Sequence, residues 1–509
     1  MNRTGLSLSS VTLLSSVTLL CLVTTARAAD ITAASCSDAA VQTAINSATN
    51  GDRVLIPRGS CTWTNQVTIP SNKGINVKGA GIGVTTITNG STIQQLLLIM
   101  TSPGHAVTQF SDVTWQASIS TALPGDASQI YVTGAGLDSY RIHHIYMTGL
   151  RQRGIQVATS ATGGEPFSGL IDHNTIECPG DFSCHATDIS AGTQEGSEGA
   201  FTIPLAVGSN KAHYIEDNTF IYTHVNDGVL DAYNGARFVF RFNTTTGGAI
   251  GWHGADSGYI RGIHSYELYR NTFTANVEHI AFPFNQRSGV GIMFDNIWAN
   301  GSAGGYYGES GDPGGSSAPL QIYRVNGSSL PYALGTRNLA CAGSSRWDGN
   351  RGSGSNVGWP CLDQNGWLFP VGGGPSAVLT PLYFWNNKNA GAEIVPFRDA
   401  VISNYVTENR EFYVKKTSFN GTMGVGVGTL SSRPGACTTG VGYWATDQGN
   451  WNQASGAPGG QGVLYKCSSS NTWTLYYTPY VYPHPLQTGQ AQGGGDVIPP
   501  VAPQGLTIR

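Results

Sequence analysis

Charge is scarce in this 509-residue chain: Asp, Glu, Lys and Arg make up 11% of it, and lysine occurs seven times. A chain so poor in basic residues lacks the cationic footprint that nucleic-acid binding requires. Beyond its N-terminus it also lacks any apolar run long enough to span a bilayer. No cysteines stand at the C-x-x-C spacing of a structural zinc site. Nor is this a helical composition. Glycine (68 residues), serine, threonine and asparagine dominate, as they do in β-solenoids and β-sandwiches.

The one long apolar stretch lies at the start. Arg3 precedes an apolar run over residues 11–23, and Ala26-Arg27-Ala28 forms a small-x-small cleavage site. These features predict a signal peptide over residues 1–28 and a secreted product, extracellular or periplasmic, with no membrane span. Cleavage leaves 25 basic against 31 acidic residues, a net charge of −6. It also removes Cys21 and leaves eight cysteines, an even number that predicts disulfides in an exported chain. Pairing neighbours in sequence gives Cys36–Cys61, Cys178–Cys184, Cys341–Cys361 and Cys437–Cys467. Spacing alone leaves the connectivity open.

What the chain does have is a repeat. The phrases IDHNTIE, IEDNTFI, FRFNTTT, LYRNTFT and MFDNIWA place Asn174, Asn218, Asn243, Asn271 and Asn296 at intervals of 44, 25, 28 and 25 residues. A period near 25 with β-type residues is too short for a helix pair and suits one solenoid coil. A single coil cannot bury its apolar side, so neighbours must stack. The asparagine amide both donates and accepts, so stacked copies can bond up and down a column. Asparagine also tolerates the left-handed backbone of a tight corner. The reading is an all-β chain folded as a parallel β-helix.

Residues 36–50 carry Ala40, Val41, Ala44, Ile45 and Ala48 at helical spacing, with Asp38 as the cap and Gly51 as the stop. A short amphipathic helix there would cover the open end of a solenoid, whose first coil exposes core and strand edges. GDRVLIPRG, NQVTIPS and GINVKGAG then read as the first strands. This start, followed by the asparagine column, resembles the pectate-lyase-like right-handed β-helix superfamily over residues 36–310 and on to about 420. The resemblance implies a right-handed helix with one long groove. It leaves the activity open, because the superfamily holds lyases, hydrolases, epimerases, esterases and non-catalytic adhesins. Lyases of this superfamily often use Lys or Arg as base, with Ca²⁺ held by clustered carboxylates. Here no lysine falls in the candidate strip, and Lys211 is the nearest.

The expected organisation is a signal peptide (1–28), a β-helix domain (29–430), a small aromatic C-terminal β cap (431–486) and a flexible tail (487–509). A Gly/Ser-rich insertion interrupts the coils near 301–375.

Overlaying the coils on the asparagine column brings Asp231, Tyr233, Asn234, His253, Asn285 and Arg287 onto one strip, with Arg261 on the loop just after it. A one-residue slip would turn these side chains to the other face. β-Elimination from a uronate needs a group that neutralises the carboxylate, a base for the α-proton and an acid for the leaving oxygen. Arg261 and Arg287 suit the carboxylate, because a guanidinium grips it through two parallel bonds. His253 and Tyr233 suit proton transfer, and Asp231 suits an orienting role. Asn234, Asn285 and Trp252 are candidates for substrate contact. Asp227 and Asp231 are candidate ligands for Ca²⁺, although two carboxylates are few for a shell of six to eight oxygens. The leading expectation is a secreted lyase acting on a uronate-containing polysaccharide. A glycoside hydrolase built on Asp231, Asp256 and Glu267 remains open, as does a non-catalytic glycan-binding or extracellular structural protein.

Overall fold

A computed structural model describes Met1 and residues 28–117, 127–159, 167–179, 184–191, 201–202, 204–223, 228–254, 261–274, 284–299, 320–322, 363–368, 377–396, 403, 406–456 and 459–488. The described chain winds as a right-handed parallel β-helix. A 21-stranded sheet bends at the asparagine corner and supplies two faces, and a nine-stranded sheet supplies the third. One coil illustrates the pattern: Arg237–Arg241 lies on the first face, Thr244–Thr246 on the second and Ala249–Trp252 on the third. Each strand pairs in parallel with its counterpart one coil earlier and later. Side chains pointing inward fill the core: Ile155, Ile189, Leu230 and Ile250 from the third face meet Phe220, Phe238 and Phe240 from the others.

The asparagine column forms as expected and runs one rung further. Asn174 Nδ2 donates to Asn218 Oδ1 at 3.0 Å, Asn218 to Asn243 at 3.0 Å, Asn243 to Asn271 at 3.2 Å and Asn271 to Asn296 at 2.9 Å. Asn296 then donates to Asn387 Oδ1 at 2.8 Å. The 44-residue interval is therefore a single coil carrying an insertion, since Asn174 stacks directly on Asn218. The left-handed residue of each corner is the one before the asparagine: His173, Asp217, Phe242, Arg270, Asp295 and Asn386 have φ between 53° and 58°. The asparagine amide stabilises that turn from the next position, by donating to a carbonyl of the neighbouring coil and accepting from a backbone N–H.

Asp38–Ser47 is helical, with Val41, Ala44 and Ile45 turned inward onto the first coil. Its N-cap is Ser37, whose Oγ accepts from Ala40 N, rather than Asp38. Asp38 instead accepts from the backbone N–H groups of Thr64 and Asn65 and ties the helix to the first coil. Lys73 Nζ caps the other end, donating to the carbonyls of Ile45 (2.6 Å) and Ala48 (2.7 Å).

The C-terminal unit is a four-stranded sheet over residues 425–477. It lies along the outer side of the first face, where Tyr214, Val239, Tyr269, Ile292, Phe294, Tyr383 and Trp385 form an apolar wall with Trp444, Trp451 and Tyr477. Stacked rings continue that wall: Tyr269 on Phe294 at 4.6 Å and Phe294 on Trp385 at 4.7 Å. Disulfides join Cys36–Cys61, Cys178–Cys184 and Cys437–Cys467. The expected Cys341–Cys361 pair lies outside the described residues, as does most of the 301–375 insertion. No described helix is long and apolar enough to cross a membrane.

Candidate active site

Parallel register on the third face determines which side chains meet. Gln156 pairs with Asp188, Asp188 with Asp231, Asp231 with Gly251 and Gly251 with Asn285. Gln156, Asp188 and Asp231 alternate with inward-facing Val157, Ile189, Ala232 and Trp252, so they project outward. Two positions along, a second outward column runs through Ser190 and Tyr233. His253 and Arg287 follow directly on the strands Ala249–Trp252 and Phe284–Gln286 and continue it. Rungs lie about 4.8 Å apart, which brings these groups within contact distance. Gly251 adds no side chain, so the strip opens beside Asp231.

Two hydrogen-bonded groups result. In one, His253 Nε2 lies 3.2 Å from Asp231 Oδ2, and Arg287 Nη1 lies 2.9 Å from His253 Nδ1. A guanidinium only donates, so Nδ1 must accept and the proton resides on Nε2, which donates to Asp231. His253 is thus held between a carboxylate and a guanidinium. Burial pushes the Asp231 carboxyl up, but His253, His185 and Arg287 outweigh it and hold the group down at about 2. In the other group, Arg153 Nε donates to Asp188 Oδ2 and the Tyr233 hydroxyl bonds to Asp188. Gln156 Nε2 donates to Tyr233 Oη at 3.4 Å. Burial first, and then the Asp188 charge, push the Tyr233 phenol far up, so it stays protonated. The rings of Tyr233 and His253 stand 6.3 Å apart and nearly perpendicular.

The structure therefore brings together four of the expected residues: Asp231, Tyr233, His253 and Arg287. Three others are placed differently. Arg261 is fully buried and paired with Asp363, through Nε at 2.9 Å and Nη2 at 2.8 Å, with its guanidinium 3.4 Å from the Phe201 ring centroid. A charge so enclosed serves packing and cannot receive a substrate carboxylate. Trp252 points inward, since its register partners are Ala232 and Gln286. Its Nε1 donates to Ser288 O and its ring packs on Tyr266 at 4.6 Å. Asn234 is the left-handed turn residue after the strand, φ 50°, and is buried there. Asn285 sits in register with Gly251, but its side chain lies outside the described residues, and so do Asp227 and Asp256. Glu267 is on the first face, buried under the C-terminal unit, where it accepts from Tyr477 Oη at 2.6 Å and Gly208 N at 2.7 Å.

Sequence reasoning missed Arg153, Gln156, His185 and Asp188, because the overlay began at Asn218. The signal was present: Asp188 lies 14 residues after Asn174, and Asp231 lies 13 after Asn218.

His185, Asp188 and Asp231 could together surround a cation, each with a ligand atom within 4.8 Å of the others. The set does not fit Ca²⁺, which takes six to eight oxygens. Among the described residues there are two carboxylates, one already bound by Arg153 and the other by His253, and a nitrogen donor. No step below passes through a metal.

No family model matches this chain, and no curated protein does. Two solved structures share part of its course. One is the alginate lyase from Paenibacillus sp. str. FPU-7, 12% identical, with a TM-score of 0.30 over 53% of this chain and 94% of that one. The other is Geobacillus virus E2 ORF18, 12% identical, with a TM-score of 0.25 over 55% of each chain. The fold assignment rests on the strand register of this chain itself.

Proposed function

We propose that this protein is a secreted polysaccharide lyase that cleaves a uronate-containing glycan by β-elimination. The observation that carries the reading is the His253 imidazole, held between Asp231 and Arg287 one rung from the Tyr233 phenol on the outward side of the third face. A uronate carboxylate is a better partner for a guanidinium than a neutral imidazole is. Binding draws Arg287 onto the carboxylate and leaves His253 Nδ1 free to accept the C5 proton. Asp231 then stabilises the imidazolium through Nε2. The Tyr233 phenol, kept protonated by its surroundings, supplies a proton to the departing oxygen.

A glycoside hydrolase is the second reading, favoured by Asp188 and Asp231 standing side by side in register. Such an enzyme needs one carboxyl held protonated as the acid. Asp231 is displaced the opposite way, and Asp188 is bound by Arg153. This weighs against hydrolysis. The test is ultraviolet absorbance of the conjugated C4–C5 alkene when purified protein meets a panel of uronate polymers. Reducing ends released without alkene would support the hydrolase. Binding with neither product would make the protein a glycan-binding module.

A further inference from the structure

We infer that His144 and His173 form a binding site for a divalent transition-metal ion of the imidazole-preferring kind, Cu²⁺, Ni²⁺ or Zn²⁺, which clips two neighbouring coils together at the asparagine corner. The inference is independent of the lyase reading, and the site lies at the corner between the first and second faces, away from the third-face strip.

Register places the histidines. His143 pairs with Ser111 on one side and with Asp172 on the other, and Asp172 pairs with Glu216. The residue after each of these is the left-handed corner residue. Asp112, His144, His173 and Asp217 therefore follow one another on successive rungs, with φ between 53° and 62°. The strands that meet at this corner are described without a break over residues 108–117, 136–150, 167–178 and 213–222. The imidazoles of His144 and His173 stack, with centroids 5.2 Å apart and planes 4° from parallel. Both residues are exposed.

Hydrogen bonds determine which nitrogen each ring offers. The Asp172 carboxylate only accepts, so His173 donates to its Oδ2 through Nδ1, at 2.9 Å. Gln109 Oε1 also only accepts and lies 3.3 Å from His143 Nε2, which places the His143 proton there. With one proton to each ring, His143 Nδ1 accepts from His144 Nδ1 at 2.8 Å. The lone pairs of His144 and His173 are then both on Nε2. A ring that donates its other N–H to a fixed acceptor is the oriented form in which imidazole ligates metals, and here two such rings stand side by side. Metal–nitrogen bonds run about 2.0–2.1 Å, so two nitrogens on one ion are at most about 4.2 Å apart. The outer edges of the rings must lean together by about 1 Å, a small turn for exposed side chains. Imidazole donors favour Cu²⁺, Ni²⁺ and Zn²⁺ over Ca²⁺ and Mg²⁺, which take oxygen ligands. The flanking rungs put a carboxylate on each side of the pair. Asp112 shares its charge with Lys78 at 3.6 Å, and Asp217 accepts from the uncharged Tyr482 and Gln487.

Titration calorimetry on the untagged protein reads the binding of Cu²⁺, Ni²⁺ and Zn²⁺, one at a time. The dissociation constant should rise about tenfold or more in His144→Asn and in His173→Asn. Asparagine tolerates the left-handed corner, so both variants should fold. His185→Ala, which removes the imidazole of the third-face cluster, should leave the constant unchanged. Electron paramagnetic resonance of the Cu²⁺ complex should show nitrogen couplings from two imidazoles, and excess Ca²⁺ should not compete. Absence of binding overturns the inference. So does binding that both corner substitutions leave unchanged, the result expected if the ion sits at His185 instead.

Discussion

Replacing Arg241 with Met tests how the C-terminal segment is locked to the solenoid. The guanidinium is fully buried. Its Nε donates to Glu216 Oε2 at 2.5 Å, Nη1 to Tyr269 Oη at 2.8 Å and Tyr480 O at 2.7 Å, and Nη2 to Val481 O at 2.9 Å. Glu216 Oε1 in turn accepts from His484 N at 2.9 Å and Gln487 Nε2 at 2.7 Å. Methionine fills much of the same space without a charge. It leaves Glu216 without its cation and two carbonyls of the segment without donors. Removing one partner of a buried ion pair costs about 3–5 kcal/mol. Burial already pushes the Glu216 carboxyl up, so the orphaned group takes a proton and the loss settles near the lower figure. The double variant Arg241→Met/Glu216→Leu removes both charges and should be more stable than Arg241→Met by about 1–2 kcal/mol. Urea unfolding gives the free energies, and limited proteolysis within residues 478–488 shows whether the segment lifts. A single-variant loss under about 1 kcal/mol, or a double variant less stable than the single, refutes this account.

Asn243→Ala should cost about 2–4 kcal/mol in thermal or urea unfolding, because it strips donors or acceptors from Asn218, Ile215, Arg241 and Asn271 at once. The stabilisation that Asp231 gains from its partners is present above pH 3.8, the ordinary carboxyl value, and is lost as pH falls toward about 2. Unfolding midpoints of the parent and Asp231→Asn should therefore converge over that window; a constant gap would contradict the assignment. His253→Gln should lower turnover about a hundredfold or more while polymer binding is kept, measured by alkene formation alongside a sedimentation assay. Tyr233→Phe should lose turnover on polymer and recover it on an oligouronide with an aryl leaving group, which departs without a proton. Equal losses on both substrates would remove Tyr233 from the acid role.

The solenoid was legible because its signal is periodic and local: the asparagine corner recurs with the coil, and alternation fixes which side chains face out. The same alternation correctly grouped Asp231, Tyr233, His253 and Arg287. It did not hold at Asn234, where the strand had already turned, and Trp252, named for substrate contact beside His253, faces the core instead. Arg261 was misplaced for a different reason. Its partner Asp363 lies 102 residues further on, beyond an insertion with no periodicity to place it. The docking of the C-terminal unit was equally invisible, because Arg141, Glu216, Arg241 and Glu267 receive it through contacts more than 200 residues apart.

Two sets of polar side chains stand out among the described residues, and one of them has a plain structural use. Arg141, Asp172, Glu216 and Arg241 are buried because the C-terminal segment lies over them and bonds to them. The third-face set is less completely enclosed: His185, His253, Arg153 and Asp231 keep between 12% and 22% of their side-chain surface, although Asp188, Tyr233 and Arg287 are buried. Stability does not call for charge there. Earlier rungs of the same outward columns hold Leu98 and Tyr131, then Met100 and Thr133, and pair as well. Taking a charged pair such as Arg153 and Asp188 out of water costs desolvation that can exceed the attraction between them. Unmet buried acceptors subtract from stability, and the strip contains two, Asp188 Oδ1 and Gln156 Oε1. A sheet optimised only to stack would have continued the apolar and hydroxyl residues of its first coils. The departure begins at Arg153 and runs through Arg287, the same stretch to which the proposed function assigns its proton transfers and its carboxylate contact. Local conflict with stability, confined to the rungs where chemistry is possible, is what a catalytic strip is expected to show.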